Sequence, residues 1–169
     1  YTKRLEVMNM MFLIRALSLV TYRVAQVSIV GTLAVVTGEV VARYIFNSPT
    51  QSSLEITEYF LVAMGFLPLA MIYQRGGHVS VDLVVNLFPE RVKRHCLTAS
   101  AVITAIFSFL VFWFGMGMTL HAFESQTASS SLMAFPMWIA YLPIPLGFLA
   151  LACQATLTIV DSDRSDVRI

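Results

Sequence analysis

The chain has 169 residues, 57% of them hydrophobic and only 12% charged, with a formal net charge of +1. A soluble domain carries about 25% charged and 45–50% apolar residues, so this composition excludes an ordinary water-soluble enzyme or binding domain. The net charge itself says little about partners and gives no reason to expect nucleic acid; the placement of the charges is more informative.

In chain order, Lys3 and Arg4 open the sequence, but no small-residue cleavage site follows a short apolar core. The first apolar stretch is also too long for a signal peptide, so it is expected to be a retained helix. Val24 to Ala42 carries one charge, Glu39, and predicts a first span over about residues 20–46. Tyr59 to Tyr73 is uncharged and extends back through Ile56, which predicts a second span over 54–75. Gly76-Gly77 then favours a break. The connection after it, with Val79, Val81, Leu83, Val84, Val85, Leu87 and Phe88 interrupted by Ser80, Asp82 and Asn86, is too short to cross. It predicts a short amphipathic helix over 78–88 lying at the interface. Cys96 to Phe123 and Leu132 to Val160 contain no Asp, Glu, Lys or Arg and predict spans over 95–123 and 132–160. Pro143 and Pro145 should kink the last span or open its first turns.

Each run approaches the roughly 20 apolar residues that a helix needs to cross about 30 Å of hydrocarbon. A membrane β-barrel would instead show alternating segments of about ten residues. The predicted fold class is therefore all-α: an integral membrane protein of four transmembrane helices in a single membrane domain, with a short interfacial helix between spans two and three.

Lys and Arg give the direction. Lys3, Arg4, Arg15 and Arg23 precede span one; Arg75, Arg91, Lys93 and Arg94 lie between spans two and three; Arg164 and Arg168 follow span four. Only Arg43 falls on the other side. The positive-inside rule predicts both termini in the cytoplasm, and the 43–55 and 124–133 connections in the periplasm.

Ionisable groups near a membrane are costly and point to a role. Glu39 and Arg43 are four apart on one helical face, with the acid first, which is the favourable order for a pair. Glu55 and Glu58 sit in the first turn of span two, where acids face the positive end of the helix dipole. Arg43 is expected to bridge to Glu58 and tie two helix tops together. The cluster reads either as a docking surface for an extracytoplasmic partner or as a clamp within the subunit. On the basic side, helical spacing would place His78 against Asp82, with Arg75 close by. A proton relay is one reading; anchoring of the turn at the headgroups or against a partner is the simpler one.

Gly31, Ala34 and Gly38 form a stripe of small residues in span one, and Ser100, Thr104 and Ser108 another in span three; such stripes let helices approach closely in lipid. Packing within the subunit is the default expectation. Tyr44, Tyr59, Tyr73, Trp138 and Tyr141 fall near span ends as an aromatic belt. Cys96 and Cys153 read as small buried hydrophobes. No nucleophile–base set, phosphate loop, cofactor motif or metal-ligand spacing appears, so the chain is expected not to be an enzyme. Two other membrane functions remain as alternatives. A self-sufficient proton-coupled exporter would need a carboxylate deep in span one, and Glu39 is near its outer end. An electron-transfer anchor would need facing histidines, and His95 and His121 are about 39 Å apart along one helix.

The order of features resembles the small (Q, DctQ-type) membrane subunit of tripartite ATP-independent periplasmic, or TRAP, transporters. The matching residues are Arg43-Tyr44, then Glu55 and Glu58, then Arg75-Gly76-Gly77-His78-Val79-Ser80-Val81-Asp82 and Leu87-Phe88-Pro89. Ser131-Leu132, Phe135-Pro136-Met137-Trp138, Tyr141 and Pro143-Ile144-Pro145-Leu146-Gly147 complete the pattern. The family often has Trp beside its acids at the start of span two, where this chain has Leu54-Glu55-Ile56-Thr57-Glu58. The resemblance implies a large (M) membrane subunit that holds substrate and sodium, and a soluble periplasmic protein that delivers organic acids. It implies for this chain a scaffold role without a cofactor of its own. Its interface residues would be Glu39, Arg43, Glu55, Glu58, Arg75, His78, Asp82, Pro136 and Trp138.

Overall fold

The structure, a computed structural model, describes residues 2–48, 50, 52–75, 89–129 and 134–166. Six helices follow one another: α1 Thr2–Tyr44, α2 Ser53–Phe66, α3 Leu69–Gln74, α4 Glu90–Glu124, α5 Met137–Tyr141 and α6 Pro143–Asp166. Among the described residues the only strand-like pairing is an isolated bridge between Ala128 and Pro136. Four stretches are long and apolar enough to cross a membrane: Met11–Tyr44, Ser53–Gln74, His95–Glu124 and Met137–Ile159. The chain is thus an all-helical membrane protein with four spans.

Two spans are single helices and two are interrupted, and proline accounts for the difference. Pro68 has no N–H to give to the carbonyl of Met64, and its ring crowds that carbonyl. The second span therefore bends between α2 and α3, although Leu67 N–H still reaches Ala63 O (3.1 Å) and Ile72 N–H reaches Pro68 O (3.0 Å). In the fourth span the break falls at Leu142, just before Pro143, as Pro143 and Pro145 led one to expect. Helix α1 contains no proline and runs unbroken for 43 residues, about 65 Å. It begins at Thr2, well before residue 20. Arg15 and Arg23 look like waterside flanks in the sequence, but a helix need not end where the bilayer does.

Left-handed residues close the helices at the turn end. Asn47 has φ 49°, which asparagine tolerates, and Ser48 N–H reaches back to Ala42 O at 3.0 Å. After α4, Gln126 has φ 49°, Gln126 N–H donates to Phe123 O and Thr127 N–H donates to Ala122 O. These two bonds are the pair of a Schellman cap, with Gln where Gly is usual.

Helix α6 is the centre of the assembly. It packs along α4 and also touches α1, α2 and α3, whereas α1 and α4 do not pack on one another. Burial agrees: 44% of the apolar window of the fourth span is buried, against 11% in the first and third. The close contacts are made by small residues. Gly147 of α6 lies against the backbone of Phe66 at the α2–α3 bend, and Gly115 of α4 lies against Ile144 and the fully buried Pro145. Gly31 of α1 receives the ring of Phe60 from α2. The expected stripe in span one is thereby divided, because Ala34 and Gly38 face outward. The span-three stripe points inward, with Ser108 fully buried.

Cys96 is exposed and Cys153 half-buried, which corrects the reading of both as buried. A hydrophobic side chain on a lipid-facing helix has no need to turn inward. The predicted 78–88 interfacial helix, with His78 and Asp82, lies outside the described residues.

Candidate functional site: the outer polar clamp

The ends of α1, α2, α4 and α5 meet at the pole predicted to face the periplasm, and the intramembrane acids gather there. Glu39 is the hub. Arg43 donates from Nη2 to Glu39 Oε1 at 2.9 Å, one turn along α1. Thr50, in the connection after α1, donates its backbone N–H to Glu39 Oε2 at 3.1 Å and its hydroxyl to the same oxygen. Both carboxylate oxygens are thus engaged, and the connection is folded back onto the helix it has just left. Ser53 extends the link into α2, its hydroxyl donating to Thr50 O at 3.1 Å. The Glu39 side chain is 12% exposed and that of Arg43 55%, so the acid is covered and the base is presented.

The expected Arg43–Glu58 bridge does not form. Arg43 finds its carboxylate at i−4 on its own helix, where no loop has to be ordered to reach it. Glu58 is exposed on α2. The tie between the two helix tops runs through Thr50 and Ser53 instead.

Glu55 belongs to a second, deeper link. It is 8% exposed and accepts the hydroxyl of Tyr59, four residues on. The Tyr59 ring stacks on Phe135 with centroids 4.7 Å apart and planes at 28°. Phe135 sits in the connection leading to α5, held by Ser129 N–H donating to Phe135 O (2.8 Å) and Met137 N–H donating to Thr127 O (3.0 Å). Pro136 precedes α5 in extended conformation, and Trp138 meets Phe123 of α4 edge-on at 5.6 Å. A continuous run of contacts therefore joins α2 to α5 and α4 across this pole.

Between the tops of α1 and α2 lies an open groove of about 280 Å³, lined by Val36, Glu39, Val40, Arg43, Tyr44, Ser53, Leu54 and Thr57. Its walls are mostly apolar, with Ser53 and Thr57 adding hydroxyls beside the Glu39–Arg43 pair. At the opposite pole Arg75 holds its guanidinium 5.0 Å from the centre of the Tyr22 ring, a cation–π contact between the end of α3 and α1.

Of the predicted interface residues, the structure unites Glu39 with Arg43, sets Glu55, Pro136 and Trp138 in the neighbouring link, leaves Glu58 outward and places Arg75 at the far end. Sequence reasoning missed Thr50, Ser53, Tyr59 and Phe135. The i,i+4 spacing of Glu55 and Tyr59 was a usable signal; the pairing of Glu39 with Thr50 across a turn had none. Chemically, a fully engaged carboxylate at the membrane edge fixes a shape. It is poorly placed to carry protons through the bilayer, which removes the main support for an exporter built on Glu39.

The family described as tripartite ATP-independent periplasmic transporters, DctQ component, matches residues 32–165. The chain is 24% identical over 87 residues to the sialic acid TRAP transporter permease protein SiaT of Haemophilus influenzae, covering 52% of this chain and 14% of that protein. It is 29% identical over 72 residues to the C4-dicarboxylate TRAP transporter small permease protein DctQ of Rhodobacter capsulatus, covering 43% and 31%. It is 19% identical over 121 residues to the ectoine TRAP transporter small permease protein TeaB of Halomonas elongata, covering 72% and 62%. The match thus spans less than two thirds of the length of each of these relatives.

Proposed function

The chain belongs to the DctQ component family of tripartite ATP-independent periplasmic transporters, a multi-pass inner-membrane transport subunit, and from that premise we propose that it is a non-catalytic scaffold. It packs against a large transport subunit, which moves an organic acid with sodium, and helps a periplasmic substrate-binding protein to dock. Both termini lie in the cytoplasm. The names of the relatives, which mention sialic acid, C4-dicarboxylate and ectoine, support a small charged organic solute as cargo. Sodium and cargo are held by the large subunit.

The observation that carries this reading is the distribution of polarity. The ionisable side chains of the first two spans stand at the two poles, and 24–38, 59–74, 95–123 and 137–159 contain no Asp, Glu, Lys or Arg. A solute carried across the bilayer is held in polar contacts near the midplane, and the charges for a carboxylate cargo are missing from these stretches. The outward apolar faces of α4 and of α1 from Val30 to Val41 offer contact area to a membrane partner instead. The outer pole, with Arg43 and Glu58 exposed beside the groove, is the surface offered to the binding protein.

The test is reconstitution. The chain alone in vesicles under an inward sodium gradient should take up nothing, and addition of the large subunit and the binding protein should restore sodium-driven uptake. Uptake by the isolated chain would overturn the proposal.

A further inference from the structure

We propose that the exposed face of α1 from Phe12 to Arg23 binds the anionic phospholipid headgroups of the leaflet at the Arg75 pole. The neighbours fix where α1 crosses the bilayer. At one end Glu39 and Arg43 share a groove with Ser53 and Leu54, the first residues of α2. At the other, Arg75, directly after α3, lies over the ring of Tyr22. The part of α1 that runs beside the 22-residue second span is therefore Tyr22 to Tyr44, already about 34 Å long against roughly 30 Å of hydrocarbon. The helix nevertheless continues without a break to Thr2, about 30 Å further.

That continuation is not built for water. Phe12, Leu13, Leu19 and Val20 are 46–72% exposed on it. Its other face is already packed, with Ser18 and Thr21 buried. Soluble surfaces rarely leave so many large apolar groups together. The same outward face carries on into Val24 and Val27, which lie within the bilayer-crossing part, so it passes from acyl chains to headgroups without a boundary. An overlong apolar helix meets a bilayer by tilting, and inclination keeps this face in the leaflet. Arg15 and Arg23, both exposed, stand two turns apart on the side of Phe12 and Leu19. Long basic side chains at that depth reach back to phosphate along their own methylene stems. With Lys3 and Arg4 against Glu6 alone, residues 2–23 carry a positive excess that an anionic leaflet complements. Lipid is favoured over a protein partner by this continuity and by the mixture of cations with apolar groups on one face.

The experiment uses the full chain with Cys96→Ser and Cys153→Ser and a nitroxide on Phe12→Cys, in vesicles of phosphatidylethanolamine with phosphatidylglycerol. The label should be open to oxygen and shielded from a water-soluble nickel chelate. In mixed-lipid nanodiscs the chain should retain phosphatidylglycerol over phosphatidylcholine. Arg15→Gln and Arg23→Gln should each lower that preference roughly fivefold, while the Lys variants keep it. Free access of nickel to the label overturns the proposal, as does an unchanged lipid preference in the double Gln variant. Shielding that needs several chains per vesicle, or the presence of the large subunit, overturns it in favour of a second copy or a protein partner.

Discussion

A methyl group on Gly147 would stand 2.2 Å from the carbonyl oxygen of Phe66. The absence of a side chain there lets α6 touch the backbone of the bend that Pro68 makes between α2 and α3. Backbone cannot swing aside as a side chain can. Gly147→Ala should therefore lower stability by about 1–3 kcal/mol, the usual cost of overpacking. Gly65→Ala, where nothing lies within 4 Å, is the control and should be neutral or slightly stabilising. Unfolding in bicelles by heat or denaturant reads the difference.

The Glu39–Thr50 contact predicts a local effect. Glu39→Gln leaves the helix intact but weakens both the bond from Arg43 and those from Thr50. Amide hydrogen exchange at Thr50 should rise while exchange in α2 stays unchanged. Arg43→Ala should raise it less, because the Thr50 donors remain. Equal protection in all three proteins would show that the turn is held by something else.

For Tyr59 and Phe135 a double-mutant cycle separates two contributions. Tyr59→Phe keeps the stacked ring and removes the donor to a buried carboxylate, so it should cost about 1–3 kcal/mol. Phe135→Leu removes the partner ring. The coupling between rings in Tyr59→Leu and Phe135→Leu should be about 0.5–1.5 kcal/mol, measured by unfolding of the four proteins.

Gly38 tests the partner surface. Nothing lies within 4 Å of a side chain built there, and Ala34 beside it is exposed. Gly38→Leu should change the unfolding of the isolated chain by no more than about 0.5 kcal/mol, apart from the gain in helix propensity. It should reduce co-purification of the large subunit severalfold, since that face is proposed to be covered in the assembly. Gly117→Leu, equally open on α4, makes the parallel test of the other outward helix.

The spans were legible because hydrocarbon tolerates so few sequences: 95–123 without a charge has little choice but to be a membrane helix. The proline breaks at Pro68 and Pro143 follow from a missing donor, and that for Pro143 was foreseen. What stayed hidden depends on distance in space. Arg43 offered two acids, Glu39 and Glu58, and only the relative placement of α1 and α2 decides between them. The stripe Gly31, Ala34, Gly38 is continuous in the sequence, yet α2 presses its Phe60 only onto Gly31, and a groove separates the helices further on. Thr50 is a polar residue in a turn like many others until the chain folds back on Glu39. The span was expected over about residues 20–46, whereas α1 runs on to Thr2, because charges mark the edge of the bilayer, which is a different thing from the end of a helix.

The uninterrupted course of α1 turns it into a lever with unequal arms. If Phe60 against Gly31 serves as the fulcrum, the arm to Tyr44 is about 20 Å and the arm to Thr2 about 44 Å. A rocking of about 5° that shifts Tyr44 by under 2 Å would sweep Thr2 through nearly 4 Å. A small displacement at the Tyr44 end is thereby magnified at the far end of the helix, with no joint in between to absorb it.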